Sequence, residues 1–301
     1  MTDVAVTSTG EAAPPPAGAG GRPVGYTLTG AVTWGGLWVF VGGLLLAVAS
    51  VLLASLTTQL ADGWLPRDYT GRWYAQSWTT FGLGRLLVTT VEVGVTVVAV
   101  TLAVALPTAY VLARLTFPGR RLLLVLFLVP QVLPVMTYAV PLATLVYRLR
   151  LNDTLAGIVL VNLVPAIPFA VLVLIPFVEQ IDPRIEQAAR VCGATSRRVF
   201  VHILSPLLLP GLLAAGVLTL VRVVGQFELT FLVSGPDSQT LVVALYGAAV
   251  QAGELASQEI NAMATVYMST TLALLLVALR LVDPTAVAAR ADGPTDEPHQ
   301  R

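Results

Sequence analysis

Charge is almost absent from six long stretches of the chain, at roughly 33 to 57, 86 to 112, 122 to 147, 155 to 178, 207 to 233 and 260 to 280. An α-helix rises about 1.5 Å per residue, so about 20 apolar residues cross ~30 Å of hydrocarbon. Each stretch is long enough to do so, and the pattern predicts an all-α, polytopic membrane protein with six transmembrane helices. Pro130, Pro134 and Pro141 in the third stretch and Pro165, Pro168 and Pro176 in the fourth predict kinks. Each proline removes a backbone hydrogen bond that neighbours must replace.

The flanks read differently. Residues 1–30 are rich in Ala, Pro, Gly and Thr, which predicts a disordered cytoplasmic tail, and residues 283–301 predict a second, flexible one. Between them, residues 31–282 predict one membrane domain without an internal repeat. The first apolar stretch lies too far from the N-terminus and is too long for a cleaved signal peptide, so it is expected to remain as a span. Composition agrees with a membrane setting. Hydrophobic residues make up 56% and charged residues 11%, against about 25% charged in soluble domains. Between the first two stretches, Trp64, Tyr69, Trp73, Tyr74 and Trp78 read as an interfacial aromatic belt, or more sharply as a landing surface for a solute-binding protein.

Arginine placement orients the spans, because cytoplasmic loops retain positive charge. With the N-terminus inside, the inner segments hold Arg22, Arg114, Arg120, Arg121, Arg184, Arg190, Arg197, Arg198, Arg280, Arg290 and Arg301. The outer loops hold Arg67, Arg72, Arg85, Arg148 and Arg150. Both termini are therefore expected in the cytoplasm.

Several chemistries are excluded by what is missing. The chain has no lysine, hence no Gly-x-x-x-x-Gly-Lys phosphate loop and no lysine Schiff base. Its single cysteine, Cys192, rules out an intrachain disulfide, and His202 and His299 are too isolated to suggest a metal site. A hydrolase built on His202 and Ser205 lacks a third orienting group. No catalytic residue, cofactor, metal or nucleic-acid partner is expected; membrane lipid is.

One polar insert stands out. Pro183 can open a helix, Glu186 sits in its first turn where a carboxylate favours the dipole, and Ala188 and Ala189 keep one surface slim. Gly193 can end it, Arg197, Arg198 and His202 follow, and Pro206 and Pro210 punctuate the start of the next span. An ordinary basic linker on the cytoplasmic side would also account for the charges. The run Glu186-Gln187-Ala188-Ala189-Arg190-Val191-Cys192-Gly193-Ala194, with Ile203, Pro206 and Pro210 beyond it, resembles the EAA loop of bacterial ABC importer permeases. In that family the pattern is Glu-Ala-Ala, two residues, Asp-Gly-Ala, then Ile-x-x-Pro and a further Pro. Gln187 stands where the family has Glu, with Glu186 one residue early, and Cys192 stands where it has Asp. The resemblance implies the type I permease fold and a coupling loop at about 180–206 that docks onto a separate ATPase chain.

The likeness extends along the chain. The segment Ala109 to Arg121 resembles the inner turn of carbohydrate-type permeases related to the smaller maltose-transporter subunit. Leu151 to Ile158 resembles their short outer turn, and Pro168-Phe169 and Ile181-Asp182-Pro183 continue the match, so that it covers most of residues 85–215. In the fifth span, Val224 and Gly225 replace the Trp-Asn pair common in sugar permeases. The stretch Phe227 to Leu241 looks more like permeases for polyamines, phosphonates or iron complexes. The implied solute is a sugar or polyol, or a small solute of that second kind.

Ionisable groups inside a membrane are costly and usually face a cavity or a partner, which makes Glu92, Arg222 and Glu228, with Gln226, candidate passage residues. Glu92 and Glu228 also read as residues of the outer interface, and Arg222 as a snorkelling side chain. Six residues turn a helix by about 240°, so Arg222 and Glu228 are not expected to pair unless Gly225 breaks it. The resemblance implies alternating access driven by two ATPase subunits, with a second permease subunit and an extracytoplasmic solute-binding protein, in the bacterial plasma membrane. The rival readings are an ion-coupled secondary transporter or channel carrying its ion past Glu92, Arg222 and Glu228, and a membrane scaffold.

Overall fold

The structure, a computed structural model, describes residues 25–58, 68–250 and 256–281. These residues are helical apart from turns and one isolated antiparallel bridge, Thr57 to Tyr69. The predicted tails lie outside them, except that helix α1 (Gly25–Ser55) begins six residues before the expected tail boundary. The chain divides into two compact units, residues 1–49 and 50–301. In the first, α1 is apolar all round, and Trp34, Trp38, Phe40 and Leu46 are exposed.

In the second unit the long helices α3 (Leu83–Arg114) and α6 (Leu155–Glu179) form the central pair. Small side chains let them approach. Ala105 and Ala109 on α3 and Ala170 on α6 are fully buried, in a core completed by Leu112, Val171 and Leu174. Lipid tails are as apolar as leucine, so close packing of small residues, rather than escape from water, holds such helices together. Helix α10 (Leu209–Val224) packs on both. A Cβ on Gly211 of α10 would lie 2.6 Å from the Phe177 ring of α6, so this close approach needs glycine.

Among the described residues four helices are long and apolar enough to cross a membrane, α1, α3, α6 and α13 (Ser257–Leu281), and two bent pairs make up to two further spans. The third predicted stretch is α4 (Arg120–Val132) and α5 (Val135–Arg148), bent by 98°. Pro134 lacks the N–H to continue α4 and pushes Leu133 into extended backbone. Pro130 and Pro141 stay inside helices, so one of the three prolines makes the break.

The other pair joins residues 196–207 to α10 with a 67° bend. The predicted fifth span does not run on to 233. It stops at Val224, and a separate helix α11 (Glu228–Val233) follows Gly225. A further apolar helix, α12 (Leu241–Val250), was not expected, because ten residues are too few to register as a span.

The aromatic segment is corrected in part. It forms α2 (Arg72–Thr80), where Trp73 is buried and donates its indole N–H to the Thr57 carbonyl at 2.7 Å, while Trp78 and Tyr69 remain exposed. Trp64 lies outside the described residues. Helix α2 packs on α13, whose buried Glu259 accepts a hydrogen bond from Gln76 at 3.3 Å.

Candidate functional site

Two polar places interrupt the apolar helices. The first is the 180–206 segment. Asp182 caps helix α7 (Pro183–Val191) by accepting from the Arg184 N–H at 2.9 Å, and Pro183 supplies a pre-set first turn. At the other end the Ala194 N–H reaches the Ala189 carbonyl and the Gly193 N–H reaches that of Arg190. This is a Schellman ending, with Gly193 at the left-handed φ of +80° that such an ending requires. Thr195 caps the next helix, α8 (Ser196–Arg198), which runs through a π-helical stretch (Val199–Leu204) into α9 (Ser205–Leu207). Val199, Leu204 and Leu208 are buried in the same core as the C-terminal ends of α3 and α6.

One buried cluster ties α7 to α3. Glu186 Oε1 lies 3.0 Å from Arg114 Nε, close as an ion pair rather than aligned as a hydrogen bond, and Tyr110 donates its hydroxyl to Glu186 Oε2 at 2.8 Å. Arg114 also donates to the Ile181 carbonyl. Tyr110 and Arg114 are four residues apart, so they share a face of α3 and grip the carboxylate together. Glu186, expected at a docking surface, is instead nearly inaccessible.

The opposite face of α7 is open. Ile185, Gln187, Ala188, Val191, Cys192 and Gly193 are exposed, Val191 by 88%, with Arg184 and Arg190 at the edges. Ala189 and Ala194 are half-buried against the core, and Pro206 is exposed. His202 is exposed and Ser205 donates to the Phe200 carbonyl at 2.9 Å.

The second place lies around Arg222, level with the middle of α6. Its Nη1 donates to Gln131 Oε1 at 2.7 Å, and the guanidinium carbon stands 4.9 Å from the centre of the Phe169 ring. Gln131 is itself held by donating to the Pro165 carbonyl at 2.9 Å. Arg222, Gln226, Asn162 and Thr219 line one small cavity between α6 and α10. Arg222 and Glu228 do not pair: Glu228 accepts from Gln226 at 3.1 Å. Next to them, Phe227, Phe231 and Tyr246 form an aromatic cluster with ring centres 4.6 to 5.6 Å apart. Glu92 stands away from this place, exposed on α3 among Leu87, Val88, Val91 and Val95.

Gln131, Asn162, Phe169 and Thr219 were missed from the sequence. An amide within a charge-free stretch was the available signal for the first two. Among the described residues no group of three or more His, Cys, Asp or Glu could hold a metal ion.

In the α5–α6 turn Asp153, at φ +55°, accepts from the Asp237 N–H at 3.0 Å and the Ser238 hydroxyl at 2.8 Å. An exposed Arg85–Asp237 ion pair at 2.9 Å ties the same segment to α3. These contacts hold the link between α11 and α12 to the α5–α6 turn.

Comparison with known proteins points one way. Residues 105–286 match the family described as binding-protein-dependent transport system inner membrane component. The probable ABC transporter permease protein y4oR of Sinorhizobium fredii is 31% identical over 172 residues, 57% of this chain and 62% of the relative. The diacetylchitobiose uptake system permease protein NgcG of Streptomyces coelicolor is 30% identical over 165 residues, 55% of each chain. The chain thus spans less than two thirds of either relative. The crystal structure of a bacterial ABC transporter involved in the import of the acidic polysaccharide alginate has a chain with a TM-score of 0.69 at 19% identity, covering 90% of this chain and 99% of that one.

Proposed function

Because the chain belongs to the family of binding-protein-dependent transport system inner membrane components, as a multi-pass ABC importer permease of type I fold and not an enzyme, we propose that its 180–206 segment is the docking loop for a separate ATPase subunit. The open face of α7 is the observation that carries this reading. It combines slim Ala188, apolar Ile185 and Val191 and basic edges on a helix whose other face is fixed to α3 by Glu186, Arg114 and Tyr110. Such a helix can enter a groove on a partner and pass its displacement to the spans as a rigid piece. Closure of two ATPase subunits on ATP then drives two permease chains between inward-facing and outward-facing states.

The passage runs past Arg222, Gln226 and Glu228, with Glu92 on the face turned to lipid or to the second permease. A sugar is the favoured solute. The relative NgcG is named for diacetylchitobiose uptake, and aromatic rings beside hydrogen-bonding amides suit the apolar faces and hydroxyl rims of sugars. An extracytoplasmic binding protein delivers it, residues 31–282 act as the permease domain, and both termini face the cytoplasm. An ion-coupled transporter is not favoured, since Glu92 stands apart from Arg222 and Glu228.

Cys192 provides the test. It is exposed beside the Gly193 turn. A membrane-impermeant thiol reagent is expected to label inside-out vesicles and not intact cells, and labelling is expected to slow when the ATPase subunit is bound. Labelling of intact cells would overturn the orientation. Labelling indifferent to the ATPase would sink docking at this face.

A further inference from the structure

We propose that the transported solute carries an anionic group, a carboxylate or sulfonate on a sugar, and that Arg222 is the residue that receives it. The inference rests on the passage reading above and names the substrate class for that site.

Helix α6 is 25 residues long, and Pro165 and Phe169, the residues beside the Arg222 environment, flank its centre. Arg222, in the last turn of α10, therefore lies level with the middle of the α6 span. A guanidinium stays protonated in any protein, so its charge cannot be relieved by losing a proton. At such depth a charge is ordinarily paired. Here its contacts are a neutral amide oxygen, from Gln131, and an aromatic face, from Phe169. Among the described residues no carboxylate comes within ion-pair distance of it. Glu228, the nearest in sequence, is engaged by Gln226 and does not line the cavity.

The cavity, at about 10 Å³ no larger than one water, has to widen to admit an acid group, and its walls supply the rest of an oxyanion site. Gln131 holds the guanidinium at one nitrogen, and a guanidinium has five N–H donors, so donors remain for a bidentate contact with a carboxylate or sulfonate. The Thr219 hydroxyl is fully buried, lines the same cavity and has no hydrogen-bond partner. Asn162, also buried, lines it too and is held in place by donating to the Ile158 carbonyl at 2.9 Å and to Thr230 Oγ1 at 3.3 Å. An unpaired fixed cation next to an unsatisfied hydroxyl is the complement of an acid group flanked by sugar hydroxyls. A neutral sugar would leave the cation uncompensated.

The experiment is uptake by the permease assembled in vesicles with its ATPase and binding protein. The probes are uronate-bearing and sulfonate-bearing disaccharides and their neutral counterparts. Uptake of an acidic probe is expected to exceed that of its neutral counterpart at least tenfold. Arg222→Gln is expected to lose at least tenfold on the acid at matched membrane levels, with Arg222→Lys intermediate. As a check free of any folding defect, galacturonate is expected to raise the melting temperature of the wild-type assembly while galactose does not.

Preference for the neutral sugar, an unimpaired Arg222→Gln, or equal stabilisation by the two monosaccharides overturns the proposal. ATP-driven uptake of a neutral sugar alone would do so while leaving the sugar-importer reading intact. Failure to take up any of these probes would sink both.

Discussion

Replacing Glu186 with alanine is expected to be the most damaging single substitution in the 180–206 segment. The change removes one partner of a buried ion pair. Arg114, whose side chain is 13% exposed, is left with the Ile181 carbonyl as its remaining acceptor, and Tyr110 loses the acceptor for its hydroxyl. Breaking a buried pair from one side costs about 3–5 kcal/mol, because the surviving charge stays buried without compensation. The double variant Glu186→Ala with Arg114→Ala is expected to recover part of this loss, since neither charge then remains alone. Denaturant unfolding of the purified assembly, run as a double-mutant cycle, measures both quantities. A Glu186→Ala loss below about 1 kcal/mol, the range of an exposed pair, would mean that the cluster does not fasten α7 to α3.

Ala188→Arg is expected to act on the other face of the same helix, with the opposite division between stability and transport. Ala188 is exposed, so the new side chain has room in the isolated chain and the protein inserts at its normal level. A groove shaped for a methyl group has no such room. Overpacking a fitted surface costs about 1–3 kcal/mol, which corresponds to docking weakened by about 5- to 150-fold. ATP-driven uptake should fall accordingly at matched expression. Normal uptake by this variant would leave residues 180–206 as an ordinary basic linker.

These two substitutions also mark where the sequence was readable. The start of α7 at Pro183 and its end at Gly193 could be read directly, because a fixed φ and a left-handed turn are properties of those residues and need no distant partner. The burial of Glu186 could not. Its partners Tyr110 and Arg114 are more than seventy positions away, and nothing local distinguishes a carboxylate that caps a dipole from one that is gripped by another helix. The prolines of the third stretch make a similar point. All three predicted kinks, yet a membrane helix tolerates a proline wherever neighbouring groups replace the lost hydrogen bond, and the break fell at Pro134 alone.

The site around Arg222 was half legible. Arg222 and Glu228 were visible because charge in an apolar run is conspicuous, Gln226 because it lies between them, and the helix stops at Gly225, which the sequence marked only as a possible break. Gln131, Asn162 and Thr219 carry no charge and passed unnoticed, although they build the walls around Arg222. Helix α12 escaped because ten residues fall short of a span, and its place depends on the Asp153 contacts that fix the preceding turn.

The central claim is that transport through this chain is powered by ATP on another chain. Solute uptake should be measured in vesicles holding the permease assembly, with and without the ATPase subunit, ATP and an imposed ion gradient. Uptake is expected only when ATPase and ATP are both present, and the purified chain alone, which has no lysine and so no phosphate loop of the Gly-Lys kind, is expected to hydrolyse no ATP. Uptake driven by the ion gradient in the absence of ATP would contradict the account.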